Sequence, residues 1–412
     1  MKHSISISVY LFALFALFVL FADELFFGYV SISGMGLESG MKSREAIVIA
    51  GIAYILLIKD VLNQKLSNRN YTQLIVLILL LILYYITQFF FPLENKSGNY
   101  MARLLVFGSL CIPACYVGMK LASGKYNDAL LRLLPAVVIV VSAIVAFAVI
   151  TTSMMGSILN DDEDVFNYQS ASYYLSFCFS YSFFYVFLYK DKRIHRFSKL
   201  ETIGMLITLV VCVIGCILGG GRGAFVYLVC VCAFMVYRLL KLAGKMKWST
   251  IFLFLGAVGF ILILAQRFQV FDSTGFLRVM ENLTNDDARI VLWKSAIKAF
   301  QDSPLFGHGL GSIWWTVGFY SHNMLTDFLA ETGLVGTTIF VVIIIKILVC
   351  LNNRSKYYSF DMFIYLVFLG VMIHNTFSGY WFSAPKLFFA FGYVFGLNSQ
   401  WRKPTNKNRI VE

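Results

Sequence analysis

The sequence predicts an all-α integral membrane protein of about twelve transmembrane helices, with both termini cytoplasmic and one long periplasmic loop. Three observations predict it. Of 412 residues, 59% are hydrophobic and 14% charged, too apolar a chain for a soluble domain around one core. Runs such as "YTQLIVLILLLILYYITQFFF" (71–91) stay apolar for the roughly twenty residues a spanning helix needs, whereas a barrel would show short alternating strands. Finally, lysine and arginine collect in alternate loops, as they do on the cytoplasmic side of membrane proteins.

Apolar segments place the spans near 7–22, 45–58, 71–92, 101–119, 130–151, 169–189, 202–218, 223–239, 249–266, 324–349, 358–377 and 384–399. Lys59, Lys65 and Arg69, the run Lys190 to Lys199, the group Arg238 to Lys247, and Arg402 to Arg409 then all lie inside. The acidic run "DDED" (161–164) and the excursion 267–323 lie outside. The net charge of +12 therefore sets orientation and calls for no nucleic acid. Lys2 and His3 ahead of "YLFALFALFVLFA" also fit a signal peptide; an uncleaved span is the favoured reading. All eight cysteines fall in apolar spans as small packing residues, so neither a disulfide framework nor a metal site is expected. Residues 1–412 read as a single membrane domain.

Ionisable groups at membrane depth cost about 2.5 kcal/mol or more at the bilayer centre, so the few near the outer face are the informative ones. In "GGGRGAF" (219–225), four glycines surround Arg222 and open backbone N–H groups to an anion, while the guanidinium suits phosphate oxygens. A tight turn with a snorkelling arginine explains the same residues. "NDDARIVLWKSAIKAFQDSP" (285–304) has a helix start at Asn285 to Asp287 and a stop at Pro304. Its spacing makes an amphipathic helix with Arg289, Trp293, Ala296 and Phe300 on one face. After the turn "LFGHGLGS", the stretch "SHNMLTDFLAETGLVGTTIF" (321–340) places His322 at the outer start of a span, where imidazole suits a general base and equally a helix cap. On a straight helix Glu331 would lie about half a turn round from His322, which leaves it a packing role. Arg103, His308, His374 and Lys386 are further candidates, with His374 able to approach the outer cleft.

These stretches resemble the bacterial O-antigen polymerase and O-antigen ligase superfamily of polytopic glycosyltransferases. "GGGRGAF", "ARIVLWKSAIKAFQDSPLFGHGLGS" and "SHNMLTDFLAETGLVG" carry the resemblance, in that order, over roughly 202–345. It implies inverting, metal-independent transfer of a glycan from undecaprenyl pyrophosphate at the periplasmic face of the inner membrane, with no cofactor. By motif, Arg222 and Arg289 would hold the pyrophosphate and His322 would activate or position the acceptor hydroxyl, with Arg267 and Arg278 as supplementary contacts and Glu331, His374 and Arg103 as secondary ones. Cations that stabilise a leaving pyrophosphate can take the place of a metal. The acceptor would be a second lipid-linked repeat in a polymerase, joined by a chain-length regulator, or lipid A core in a ligase; "NYQSASYYLSF" (167–177) looks more like the polymerases. Two other classes compete: a two-halves secondary transporter, and a metal-dependent polyprenyl-phosphate-sugar transferase using Asp23 and Glu24.

Overall fold

The computed structural model describes residues 7–33, 40–63, 68–87, 103–104, 106–154, 168–189, 198–219, 221–243 and 287–397. The described secondary structure is helical, as apolar runs demand where no water can satisfy the backbone. The helices are α1 (Ile7–Ser33), α2 (Gly40–Leu62), α3 (Asn68–Thr87), α4 (Phe107–Leu121, opening with a π turn), α5 (Asn127–Met154), α6 (Tyr168–Phe183, continued by a π turn), α7 (Lys199–Gly219) and α8 (Arg222–Ala243). They continue with α9 (Asp287–Asp302), α10 (Ile313–Thr316), α11 (Met324–Arg354), α12 (Ser359–Phe377) and α13 (Pro385–Gly396).

Among the described residues, five helices are long and apolar enough to cross a membrane, within α5, α6, α7, α11 and α12. Shorter apolar helices occupy Ile7–Phe21, Tyr71–Thr87, Phe107–Leu121 and Gly223–Arg238. The expected span at 249–266 and the acidic run at 161–164 lie outside the described residues. α1 runs beyond the expected 7–22, so the backbone at Asp23 and Glu24 is helical rather than a loop.

Contacts group the chain into two units. The first holds residues 1–20, 39–129 and 286–412. Here α13 lies directly on α4: a Cβ on Gly118 would strike the Phe389 carbonyl, and one on Gly392 the Cys115 carbonyl. Small residues at both positions let two apolar helices touch backbone to backbone, the packing used where lipid removes any hydrophobic drive to associate. Two carboxylate clusters pin the same unit. The Asp60 carboxylate is 2.7 Å from Lys120 Nζ and accepts the Tyr116 hydroxyl at 2.6 Å. Asp361 is 3.1 Å from Arg354 Nε and accepts the Tyr393 hydroxyl at 2.6 Å, joining α11, α12 and α13. Each buried charge is thus both paired and hydrogen-bonded, as burial requires.

The second unit holds residues 21–38 and 130–285, built on α6, α7 and α8. Serines at one-turn spacing on α6 tie it to the start of α8. Ser172 Oγ accepts the Gly221 N–H at 3.3 Å, Ser176 Oγ donates to the Ala224 carbonyl at 3.2 Å, and the Tyr227 hydroxyl reaches Ser180 Oγ at 2.9 Å. A Cβ on Gly221 would meet Ser172. Part of the serine-rich stretch at 167–177 therefore has a packing function, and Gly221 supports a close helix approach at the head of α8.

Candidate active site

α9 forms as its spacing predicts, and its inward stripe is the expected one. Ala296 and Ala299 are buried and Arg289, Trp293 and Phe300 half-buried, while Lys294 and Lys298 are exposed. Arg289 Nη1 donates to the Phe377 carbonyl at 3.2 Å. That carbonyl belongs to the last turn of α12, where unsatisfied C=O groups favour a cation.

Between α9 and α11 the chain turns on glycines, and Gly307, Gly309, Gly311 and Gly318 all have positive φ. The turn docks into a break in α11. At Gly333 the backbone leaves the helix, with φ 61° and ψ −163°. The carbonyls of Ala330 and Glu331 accept from the N–H groups of His308 (3.0 Å) and Gly309 (2.8 Å), and the N–H groups of Leu334 and Val335 donate to Pro304 (2.9 Å) and Leu305 (3.2 Å). Groups orphaned by the break thus find partners about 25 positions earlier in the chain, as buried backbone must. His308 belongs to this clasp, its Nε2 lying 2.9 Å from the Ala299 carbonyl.

His322 precedes α11 rather than lying within it. Its φ of 60° is left-handed, a conformation rare for non-glycine residues although histidine is enriched there. Neighbours impose it. The Ser321 N–H donates to Asp327 Oδ1 at 2.8 Å, the Ser321 and Thr326 hydroxyls pair at 2.6 Å, and Ser321 Oγ donates to the Asn323 carbonyl at 3.1 Å. Asn323 then caps α11, its side chain accepting from the Leu325 and Thr326 N–H groups. Ser321 and Asp327 are fully buried while His322 is half-buried. The stretch "SHNMLTD" therefore works as a holder that fixes one half-buried imidazole against Phe319 and Tyr320 just before a rigid helix start.

The imidazole packs on Tyr320, with centroids 4.4 Å apart, and on Phe319 at 5.5 Å. Arg103 lies over the ring of Tyr320 at 5.7 Å and over Trp314 at 5.9 Å, within cation–π range, and donates to Ser383 Oγ at 3.1 Å. Arg289 acts electrostatically on the same Tyr320, whose hydroxyl donates to the Ser378 carbonyl at 3.2 Å. Burial pushes the Tyr320 phenol above its ordinary value, against the pull of Arg103 and Arg289. It therefore stays protonated near neutrality and serves as a donor rather than a base.

Behind this surface, Glu331 is fully buried and accepts from the Tyr380 hydroxyl (2.6 Å) and Trp381 Nε1 (3.2 Å). It supports the aromatic wall, since Tyr380 packs edge-on to Trp314 and close to Tyr320. Burial, and next the charge of Glu331, hold the Tyr380 phenol well above its usual range. Glu331→Ala takes the acceptor from the Tyr380 hydroxyl, Trp381 Nε1 and the Gly311 N–H, about 1–3 kcal/mol for each buried donor left unpaired. The detergent-solubilised variant is expected to melt well below wild type, and Glu331→Gln, which keeps an acceptor, to lose less.

The structure thus brings Arg103, Arg289 and His322 around Tyr320 in one unit. Arg222 begins α8 in the other unit, at a helix N-terminus as its glycines suggest, and its side chain lies outside the described residues. So do Arg267 and Arg278. His374 lies in the last turn of α12, where its carbonyl receives the Ser378 and Gly379 N–H groups, and Lys386 begins α13 behind Pro385. Trp314, Tyr320, Tyr380, Trp381 and Ser383 were not foreseen. For Tyr380, Trp381 and Ser383 the one signal is "SGYWFSAP" (378–385), a cluster of aromatic, small and proline residues that breaks the apolar pattern between two spans.

A comparison with curated proteins gives no match. Residues 207–341, which hold Arg222, Arg289, His322 and both sides of the α11 clasp, match the family model described as O-Antigen ligase. This similarity supports the resemblance of the chain to the O-antigen polymerase and ligase superfamily, and its apolar helices suit a multi-pass membrane protein.

Proposed function

We propose that the protein is an O-antigen or capsule-type polysaccharide polymerase, transferring a glycan from undecaprenyl pyrophosphate to a lipid-linked repeat unit at the periplasmic face of the inner membrane. One observation carries the reading: a half-buried histidine in a left-handed conformation packs on a tyrosine that Arg103 overlies and that Arg289 acts on electrostatically. His322 takes the proton of the acceptor hydroxyl as that oxygen attacks the anomeric carbon from the face opposite the pyrophosphate. The bond to the leaving oxygen breaks with its electron pair, and Arg289 and Arg103 stabilise the charge that gathers on the phosphates. The family resemblance assigns Arg222 to the same phosphates, with Arg267 and Arg278 in support.

Arg289→Ala is expected to lower transfer about 10²- to 10³-fold, as for removal of one preorganised stabilising group. Arg103→Ala should act in the same direction, while Arg103→Lys, which keeps charge but loses the planar stack, recovers only part. In vitro polymerisation of a purified lipid-linked repeat reads both, and wild-type rates in both alanine variants contradict the assignment. The description of the matching family favours a second reading, ligation of the glycan to lipid A core. The lipopolysaccharide ladder of a deletion strain separates the two: core with a single repeat identifies a polymerase, and free core with lipid-linked chains accumulating identifies a ligase.

A further inference from the structure

We infer that the turn after α9 and the outward face of α9 rest on the lipid bilayer, with Leu305 and Phe306 entering it beside α11. The contact is independent of which reaction the site performs. Phe306 is 72% exposed and Leu305 58%, at the point where the turn clasps α11. A large aromatic residue in that condition at a tip otherwise made of Gly, Ser and Pro calls for a partner.

The clasp itself identifies the partner. The Leu305 carbonyl receives the Val335 N–H and that of Pro304 the Leu334 N–H, so the exposed pair lies alongside Leu334 and Val335, which are exposed too. From there the exposed surface continues along α11 through Ile339, Val342, Ile345 and Val349, with one lysine among them, Lys346, whose long stem lets its ammonium reach toward the Arg354 end, on one of the helices long and apolar enough to cross a membrane. A spanning helix can leave such side chains unpacked because lipid covers them, and the same lipid reaches Leu305 and Phe306 without a gap.

The depth is consistent. From Leu334 to Arg354 the helix is about 30 Å long at its normal rise, the thickness of a hydrocarbon core. The break at Gly333 therefore falls at the boundary of that core, level with the clasp. α9 ends three residues before Leu305 and carries Ile290, Val291 and Ile297 exposed beside the exposed Lys294 and Lys298. On that outward face the two lysines lie between Ile290 and Ile297 on one side and Val291 on the other, a mixed surface suited to the headgroup layer, where ammonium groups meet lipid phosphates. A second copy of this chain is a poorer occupant, because the exposed surface continues into the flank of α11 that lipid already needs to cover.

Site-specific photocrosslinking of the full chain tests this. p-Benzoylphenylalanine is placed at Phe306 and, separately, at Ile297, in nanodiscs of phosphatidylethanolamine and phosphatidylglycerol, and intact mass is read after illumination. The expected result is a mass increase of one phospholipid at both positions, and none without illumination. Absence of the adduct at Phe306, in a variant that elutes and melts like wild type, overturns the inference. Covalent dimers at Phe306 overturn it as well, assigning the surface to a second copy. Absence at Ile297 alone removes α9 from the contact.

Discussion

Replacing His322 with asparagine is expected to lower glycan transfer by about 10²- to 10⁴-fold, the range for loss of a positioned general base, while the melting temperature stays near wild type. Asparagine is the informative substitute because its short polar side chain tolerates the left-handed backbone that His322 adopts with φ 60°. Alanine removes the base too, but it also sits poorly at that φ, so an inactive alanine variant confounds chemistry with folding. The holder around His322 depends on Ser321, Asn323, Thr326 and Asp327, none of which the substitution touches. Transfer at the wild-type rate in His322→Asn would remove the base assignment; an inactive variant that also melts early would reduce His322 to a structural residue.

Gly333→Ala is expected to be the most destabilising single change in α11, by roughly 3 kcal/mol or more. The backbone there lies near φ 61° and ψ −163°, a region essentially closed to residues with a Cβ and costing about 1–3 kcal/mol. In addition, the new Cβ would press on the Leu305 carbonyl, the acceptor for Val335 N–H. Four backbone hydrogen bonds meet at that clasp, each contributing about 0.5–1.5 kcal/mol. Gly318→Ala is the internal comparison: φ is also positive, 86°, but nothing lies where the Cβ would go, so only about 1–2 kcal/mol of backbone strain remains. Thermal melts in detergent should rank wild type above Gly318→Ala and both above Gly333→Ala. Equal melts for the two variants would show that the clasp contributes little. Because the clasp orders the turn that precedes His322, Gly333→Ala should also lose transfer.

The residues of this region were visible in the sequence as types but not as partners. Arg289 was expected to face inward along α9, and does; that it caps α12 through Phe377 depends on a contact 88 positions away. The sequence offers Arg103 as a further ionisable candidate and, through the family resemblance, as a secondary contact. Its place over Tyr320 and Trp314, and its bond to Ser383, 280 positions on, follow from how α13 and the preceding turn pack against α4. That turn is held by Phe382, stacked between Tyr84 and Phe107 at 4.0 and 4.1 Å, a sandwich no periodicity reveals. Glu331 was assigned a packing role by its helical distance from His322. In the structure Glu331 accepts from Tyr380 and Trp381, and the angle to His322 has no bearing on it, because His322 precedes that helix.

The sequence by itself determined the helical character of the chain, the bounds of α9 to within two residues, and a helix start close after His322, although the side chain that caps it is Asn323 and not the histidine. These follow from local requirements: an apolar run must satisfy its own backbone, an amphipathic stripe must keep its period, and a helix start needs a side-chain acceptor. Only the tertiary structure decided the break at Gly333 and the left-handed turn at His322. Read locally, "LAETGLVGTTIF" is an uninterrupted helix. It breaks because Pro304, Leu305, His308 and Gly309 supply the partners that the broken backbone needs, and those partners arrive only when the chain folds back.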